Sequence, residues 1–418
     1  MKKGWEIKTL NSVCDKTSNI KWQKSDDASY KYIDLSSVSR ESLKITETTQ
    51  INSLNAPSRA KKIVNEGDVI FATTRPTLKR VTLIPKEYDG QICSTGYTVL
   101  RAKSNKILPE LIYYCLQTES FMERMETLQR GASYPAVTDM DVKKTQILLP
   151  PLPEQQQIVN ILDQAFAAID KAKANIERNL QNAKELFQSE LNRVFSQRGE
   201  GWKEKTLMDV ALEFGRGKSK HRPRNDAKLY GGKYPFVQTG DVRNANKHIR
   251  SYTQTYNEVG LAQSKLWSKG TICITIAANI AETAILDFDG CFPDSIIGLQ
   301  VNPDKAITEF AYYALQFLKA KLQALGKGSA QDNINLGTFQ SQYFPFPNIE
   351  TQQDVVKKLD GLLNLSITLE EKYCNKIEQL DELKKSILQK AFTGEITASE
   401  YKLTDTEELD MVAEEKDN

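Results

Sequence analysis

The sequence predicts an α+β chain: two mixed α/β domains in a pseudo-two-fold tandem repeat, joined by two long antiparallel coiled-coil helices. Three observations predict it. The chain repeats itself with an offset of 197 residues, each copy begins with short β-rich runs, and each copy ends in a long stretch of helical periodicity.

The repeat opens as Gly4-Trp5-x-x-Lys8-Thr9-Leu10-x-x-Val13 and again as Gly201-Trp202-x-x-Lys205-Thr206-Leu207-x-x-Val210. It continues with Tyr30-x-Tyr32-Ile33-x-x-x-x-Val38 against Tyr234-x-Phe236-Val237-x-x-x-x-Val242. Later, Tyr113-Tyr114-x-Leu116-Gln117 matches Tyr312-Tyr313-x-Leu315-Gln316. It closes with Gln155-Gln156-x-Ile158-Val159-x-x-Leu162-Asp163 against Gln352-Gln353-x-Val355-Val356-x-x-Leu359-Asp360. The offset is 203 or 204 in the middle of the unit, so insertions and deletions sit inside it, as they do where loops vary on a shared scaffold. A duplicated chain has built-in pseudo-two-fold symmetry, and B-DNA is a large ligand of matching symmetry.

Residues 1–150 form the first domain. Gly67-Asp68-Val69-Ile70-Phe71-Ala72 reads as turn then strand, as does Gly270-Thr271-Ile272-Cys273-Ile274-Thr275-Ile276 in the second. Leu108 to Leu128 and Ile307 to Leu325 read as helices, each beside a proline-containing turn. Residues 151–198 form the first long helix. After Pro150-Pro151-Leu152-Pro153 the chain has no glycine or proline to Phe195, and Ile158, Leu162, Ala165, Ile169, Ala172, Ile176, Leu180, Ala183, Phe187, Leu191 and Val194 make one stripe. Residues 199–346 form the second domain and 347–396 the second long helix. Its two rows, Val355, Leu362, Leu369, Leu383 and Leu359, Tyr373, Leu380, Ile387, are spaced by multiples of seven, the signature of a coiled-coil seam. Each helix covers roughly 40 residues, about 60 Å, and hides its stripe most simply against the other. A two-fold relation makes them antiparallel, with the domains at opposite ends of a rod. The tail 397–418 is acidic and poor in apolar residues, the composition of a disordered segment.

Net charge is +2, but its distribution is uneven: +6 over 1–150 and +5 over 201–346, against −1 over 151–200 and −8 over 347–418. The alternation suits two polyanion-binding domains on a non-binding frame. The six cysteines are scattered without metal-ligand spacing, as buried packing residues in a reducing cytosol would be, and no apolar run is long enough to cross a membrane. Catalytic signatures fail one by one. Only His221 and His248 could serve a zinc site or a serine triad. Gly217-Lys218-Ser219 mimics the end of a phosphate-binding loop, yet Leu212 stands where the earlier glycine is required. Asn302-Pro303-Asp304-Lys305 lacks the aromatic of an amino-methyltransferase motif and reads as a turn. The chain is predicted to be non-catalytic and to hold no metal.

Candidate contact residues are basic and hydrogen-bonding side chains on loops. Arg216, Lys218, Lys220, His221, Arg222, Arg224 and Asn225 crowd one loop held by glycine and proline, suited to phosphates or a groove. Thr73, Thr74, Arg75, Lys79 and Arg80 follow a strand of the first domain. Arg130, Ser133 and Tyr134, and in the second domain Lys327, Ser329, Gln331 and Asn333, combine cations with groups able to read base edges. Gln238 and Thr239 follow the Tyr234-Pro235-Phe236-Val237 run. Helix–helix packing is assigned to Ile158, Leu162, Ile169, Ile176, Val355, Leu359, Leu362, Leu369, Tyr373, Leu380 and Ile387.

These features together resemble the specificity subunits of type I restriction-modification systems, over essentially all of residues 1–400. The resemblance is carried by the doubled Gly-Trp-x-x-Lys-Thr-Leu starts and by Pro150-Pro151-Leu152-Pro153-Glu154-Gln155-Gln156-Gln157-Ile158-Val159. It is carried also by Tyr234-Pro235-Phe236-Val237-Gln238-Thr239-Gly240-Asp241-Val242 and by Ser386-Ile387-Leu388-Gln389-Lys390-Ala391-Phe392-Thr393-Gly394-Glu395-Ile396. The second proline-rich junction departs from the pattern (Pro345-Phe346-Pro347-Asn348), and Ser36-Ser37 stands for Thr239-Gly240 in the first domain. The resemblance implies two target-recognition domains, each reading one half of a bipartite, asymmetric double-stranded DNA site. It implies helices that set the gap between halves and dock two methyltransferase (modification) subunits. Those partners bring S-adenosylmethionine, restriction/translocase subunits bring ATP and Mg, and this chain binds no cofactor. A cytoplasmic complex follows. A non-catalytic protein-binding scaffold with incidental basic domains remains the alternative.

Overall fold

The structure is a computed structural model that describes residues 2–23, 28–277, 280–327 and 336–396, without the side chains of 320–327, 338 and 340. The chain divides into two compact units, Met1–Arg178 with Tyr373–Asn418, and Asn179–Lys372. Both long helices, Leu152–Ser196 and Ile349–Thr393, cross that division, so each unit takes a segment of each helix as well as one β-rich domain.

In the first unit, strand Glu6–Thr9 pairs antiparallel with Gln146–Leu149, bringing the ends of the domain together immediately before the long helix. One four-stranded sheet runs in the order Cys14–Asp15, Tyr97–Ala102, Val69–Ala72, Val81–Leu83. All four residues of Val69–Ala72 are buried, which explains an apolar run without alternation. A second sheet has the order Thr49–Ile51, Tyr30–Ile33, Ile92–Ser94, Ala60–Ile63. Arg101 clasps the buried Asp68 through two hydrogen bonds, at 2.8 and 2.7 Å.

The single helix expected over Leu108–Leu128 is two, Pro109–Cys115 and Glu119–Leu128. Thr118 makes the break. Its hydroxyl donates to the Cys115 carbonyl at 2.8 Å and accepts from the Phe121 amide at 3.3 Å, so it ends one helix and caps the next.

The second unit repeats the plan. Lys203–Lys205 pairs antiparallel with Phe344–Phe346. A five-stranded sheet has the order Ala211–Arg216, Ile296–Val301, Ile272–Thr275, Thr283–Leu286, His248–Ile249. A four-stranded sheet has the order Gln254–Tyr256, Tyr230–Phe236, Gly290–Cys291, Leu266–Trp267. The expected helix near Ile307 runs Thr308–Lys327, and Asn302 shapes the turn before it by accepting from the Asp304 amide at 3.0 Å.

Each long helix leaves its domain through a glutamine clasp. Buried Gln155 accepts from the Leu108 amide at 2.9 Å and donates to the Lys106 and Pro150 carbonyls at 2.9 and 2.8 Å. Buried Gln352 accepts from the Ile307 amide and donates to the Pro347 carbonyl, both at 2.9 Å. Gly394, with φ of 80°, follows the second helix in the left-handed conformation that commonly ends helices.

Within each unit the two helix segments run antiparallel. In the first, Asp170 pairs with Lys384 at 3.2 Å and Lys173 with Asp381. In the second, Lys184 pairs with Glu370 at 3.0 Å and Glu190 with Lys358 at 2.6 Å. Ile158, Leu162, Ile169 and Ile176 share the core of the first unit with Leu380 and Ile387, with Tyr373 packed at its margin. Leu359 is buried in the core of the second unit and Val355 packs against it. Leu362 and Leu369 are half-buried, and Leu383, expected in the same row, is exposed. The buried face there runs through Leu380, Ile387, Leu388 and Ala391 and leaves Leu383 to one side of it.

Candidate nucleic-acid interface

In the first domain two loops far apart in sequence converge. Thr74 and Ala136 form an antiparallel bridge, as do Arg130 and Ala136. The Arg75 amide donates to the Pro135 carbonyl at 2.7 Å and the Val137 amide to the Thr73 carbonyl at 2.9 Å. Arg75 and Lys79 both have left-handed backbones (φ 49° and 54°) that flank the short 3-10 turn Pro76–Leu78 and turn both side chains to solvent. The Arg75 guanidinium lies over the exposed Tyr134 ring, 5.0 Å from its centroid, a cation–π pair between the two loops. Ser133 and Arg130 are exposed on the same converged loops, with Arg130 3.6 Å from Asp141.

Two residues of this group face inward. Thr73 is buried and its hydroxyl donates to the Gly96 carbonyl at 2.9 Å. Arg80 is half-buried and its guanidinium donates to the Leu35 carbonyl. Both hold the loop's base and leave the outer surface to Arg75, Lys79, Arg130, Ser133 and Tyr134.

The basic loop of the second domain is anchored at both ends. Gly217 lies against the Phe292 and Pro293 carbonyls, where a Cβ would come within 2.3 and 2.4 Å of oxygen, so no other residue fits. The Gly217 amide donates to the Ile296 carbonyl at 2.9 Å, and Ser264 donates to the Lys218 carbonyl at 2.8 Å. At the far end Arg224 makes a two-point pair with Asp294, at 2.7 and 3.0 Å. His221 Nε2 lies 2.8 Å from Asp226, and Arg222 donates to the Ser219 and His221 carbonyls. The Asp226 carboxyl is held below its ordinary value, first by His221 and then by the Lys228 backbone and side chain. Arg216, Lys218 and Lys220 are exposed, and their side chains have no hydrogen-bonding or ionic partner among the described residues; Asn225 is exposed beside them. The loop is thus a fixed arch carrying three cations whose side chains have no partner among the described residues, with Arg222 bonded to the arch's own carbonyls.

Gln238 and Thr239 are half-buried at the start of helix Thr239–Arg243, where the Gln238 amide donates to Asp241 at 2.8 Å. Lys327 ends helix Thr308–Lys327, and Ser329, Gln331 and Asn333 lie outside the described residues. Sequence reasoning passed over Arg59, which is exposed while its carbonyl accepts from the Thr95 amide at 2.8 Å, next to Gly96 beneath Thr73. The run Ser58-Arg59-Ala60-Lys61-Lys62 was its only signal, and Lys62 points inward to Asp139 at 2.5 Å.

Among the described residues no group of three or more histidine, cysteine, aspartate or glutamate side chains is placed to hold a metal ion. No described helix is long and apolar enough to cross a membrane. Five cysteines are buried and Cys374 is exposed.

The family model for the type I restriction modification DNA specificity domain matches the chain twice, over residues 2–180 and 199–379. The chain is 22% identical to the putative type I restriction enzyme MjaX specificity subunit of Methanocaldococcus jannaschii, over 94% of this chain and 93% of that one. It is also 22% identical to the EcoKI specificity subunit of Escherichia coli K12, over 94% and 90%. Among solved structures it resembles the HsdS subunit from Thermoanaerobacter tengcongensis, at 28% identity and a TM-score of 0.63 over 94% of this chain and 98% of that one. A chain from a structure describing complex assembly and conformational transition of the type I R-M system matches with a TM-score of 0.82, again at 28% identity and the same coverage. Two copies of one DNA specificity domain, each placed on one of the two repeats, mean that this chain belongs to the family of type I restriction-modification specificity subunits.

Proposed function

We propose that the chain is the non-catalytic, DNA-reading subunit of a type I restriction-modification complex, and that each domain reads one half of a bipartite, asymmetric double-stranded site. The observation that carries this is the doubled specificity domain, each copy presenting a pinned loop with exposed cations. In the first domain Arg75, Lys79, Arg130, Ser133 and Tyr134 make the contacts; in the second Arg216, Lys218, Lys220 and Asn225 make them. A guanidinium suits the two acceptors of guanine in the major groove, and lysines suit phosphates. Thr73, Arg80, His221, Arg222 and Arg224 shape the loops. Thr74 lies where the two loops of the first domain meet, and Gln238, Thr239, Lys327, Ser329, Gln331 and Asn333 are further contact candidates on the sequence alone.

The helices dock two methyltransferase subunits and set the gap between half-sites, with S-adenosylmethionine, ATP and Mg held by partner subunits. Such a chain contributes binding and register, and chemistry comes from its partners. The test is single-molecule methylome sequencing of a host expressing the chain with its methyltransferase. A split adenine-methylation motif in which exchange of residues 201–346 changes one half alone is expected. An unchanged motif after exchange of either domain would sink the reading and favour a protein-binding scaffold.

A further inference from the structure

We infer that Lys247 is a positioning residue that locks the second recognition domain onto its helix segment and so restricts the half-site separation at which that domain reads. The inference rests on the proposed function. Lys247 lies between helix Thr239–Arg243 and edge strand His248–Ile249, with φ of 68°, a left-handed conformation unusual for a residue with a Cβ. Its carbonyl accepts from the Ile285 amide at 2.8 Å, tying it to the edge of the five-stranded sheet. Its side chain is only 8% exposed, and lysine is rarely so buried unless paired. The ammonium pairs with Asp360 on the long helix and stands 5.1 Å from the centroid of the Tyr313 ring. The Tyr313 hydroxyl donates to the same Asp360 oxygen. One carboxylate thus joins the sheet edge, the domain's own helix and the long helix.

The first repeat holds the same positions with different chemistry. Leu43 is the counterpart of Lys247, at the offset of 204 that relates Val38 to Val242. It has the same left-handed backbone, φ 53°, but its side chain packs on the apolar core of the first unit. There the Tyr114 hydroxyl donates to Asp163, the counterpart of Asp360, and no cation pairs with Asp163 among the described residues. Both repeats bend the chain alike at this point, so the bend alone does not call for a lysine. An apolar contact is non-directional and tolerates sliding, whereas a charge-assisted bond to a shared carboxylate fixes distance and direction. At this contact the second domain has a charge-assisted tie to its long helix that the first lacks among the described residues.

The test uses the complex of the full chain with its methyltransferase, on DNA duplexes carrying both half-sites with the spacer shortened or lengthened by single base pairs. The wild type is expected to methylate one spacer length. Lys247→Met keeps the aliphatic stem, and is expected to reduce discrimination against the neighbouring spacer lengths at least tenfold with base preferences in both halves unchanged. Asp360→Asn leaves an acceptor for Tyr313, and is expected to relax spacer choice in the same way. Lys247→Arg is expected to keep it sharp. A purely structural role would lower the rate equally at every spacer, and that result in both Lys247→Met and Asp360→Asn overturns the inference. Absence of any spacer preference in the wild type would overturn the proposed function itself.

Discussion

Replacing Gln155 by leucine removes a side chain of similar size from a site with no solvent access and separates two effects, filling space and satisfying the backbone. Three main-chain groups lose their partner: the Leu108 amide and the Lys106 and Pro150 carbonyls. A buried polar group left unsatisfied costs about 1–3 kcal/mol, with a carbonyl at the low end, so about 3–5 kcal/mol of local stability should go. Gln352→Leu strands only the Ile307 amide and the Pro347 carbonyl, and its cost should be about 1 kcal/mol smaller. Hydrogen exchange with mass spectrometry on the full chain reads both sites, through peptides that contain the Leu108 or the Ile307 amide. About 3 kcal/mol corresponds to a loss of protection of at least ~100-fold at Leu108. Unchanged protection there, or a larger effect from Gln352→Leu, would refute the reasoning that the glutamines close the backbone where helix leaves domain.

Three further outcomes are expected. Arg75→Ala should cost ~1–3 kcal/mol of discrimination at one position of one half-site, whereas Lys218→Ala should weaken all sequences alike and lower the salt slope by about 1, both measured by binding titrations at several salt concentrations. Glu190 is pushed down to about 2, first by its bond to Arg193 and then by Lys358. Its contribution should be complete above the ordinary value of 4.5 and be lost progressively as the pH falls to and through about 2, so the difference in denaturation midpoint between wild type and Glu190→Gln should shrink on acidification; a difference undiminished between pH 6 and pH 2 would contradict it. Burial pushes the Cys14, Cys93 and Cys115 thiols up to about 12 and also raises Cys273 and Cys291, so iodoacetamide at neutral pH should label only Cys374 in the native chain, read by peptide mass mapping.

The long helices were legible because their signal is local and sustained: one stripe at steps of three or four, opened by Pro150-Pro151-Leu152-Pro153. The doubled strands and the glutamine motifs were legible because each repeat vouches for the other. The break at Thr118 was not, because a threonine inside an apolar period is silent until its hydroxyl is seen to turn back on Cys115. The meeting of the loops around Arg75 and Tyr134 was equally hidden, since backbone bonds between Arg75 and Pro135 carry it and almost any sequence can make those. Composition counted Arg80 and Arg75 as equal, although one donates to the Leu35 carbonyl and the other stacks on an exposed ring. Lys247 drew no notice because a lone lysine in a basic domain looks ordinary until its partner, 113 residues on, is placed.

The division of the chain into units has a consequence for the order in which the protein is made. The second unit is one uninterrupted stretch, Asn179–Lys372, whereas the first unit needs residues from both sides of it. Trp5, Leu10 and Ile169 share one core with Leu380, Ile387, Leu388, Ala391 and Ile396. On a ribosome that delivers the chain from its amino end, the second repeat has its whole unit in hand before the first has received its last core residues. The half synthesised first is therefore the half completed last, and through most of translation its helix stripe waits for a partner that has not yet been made.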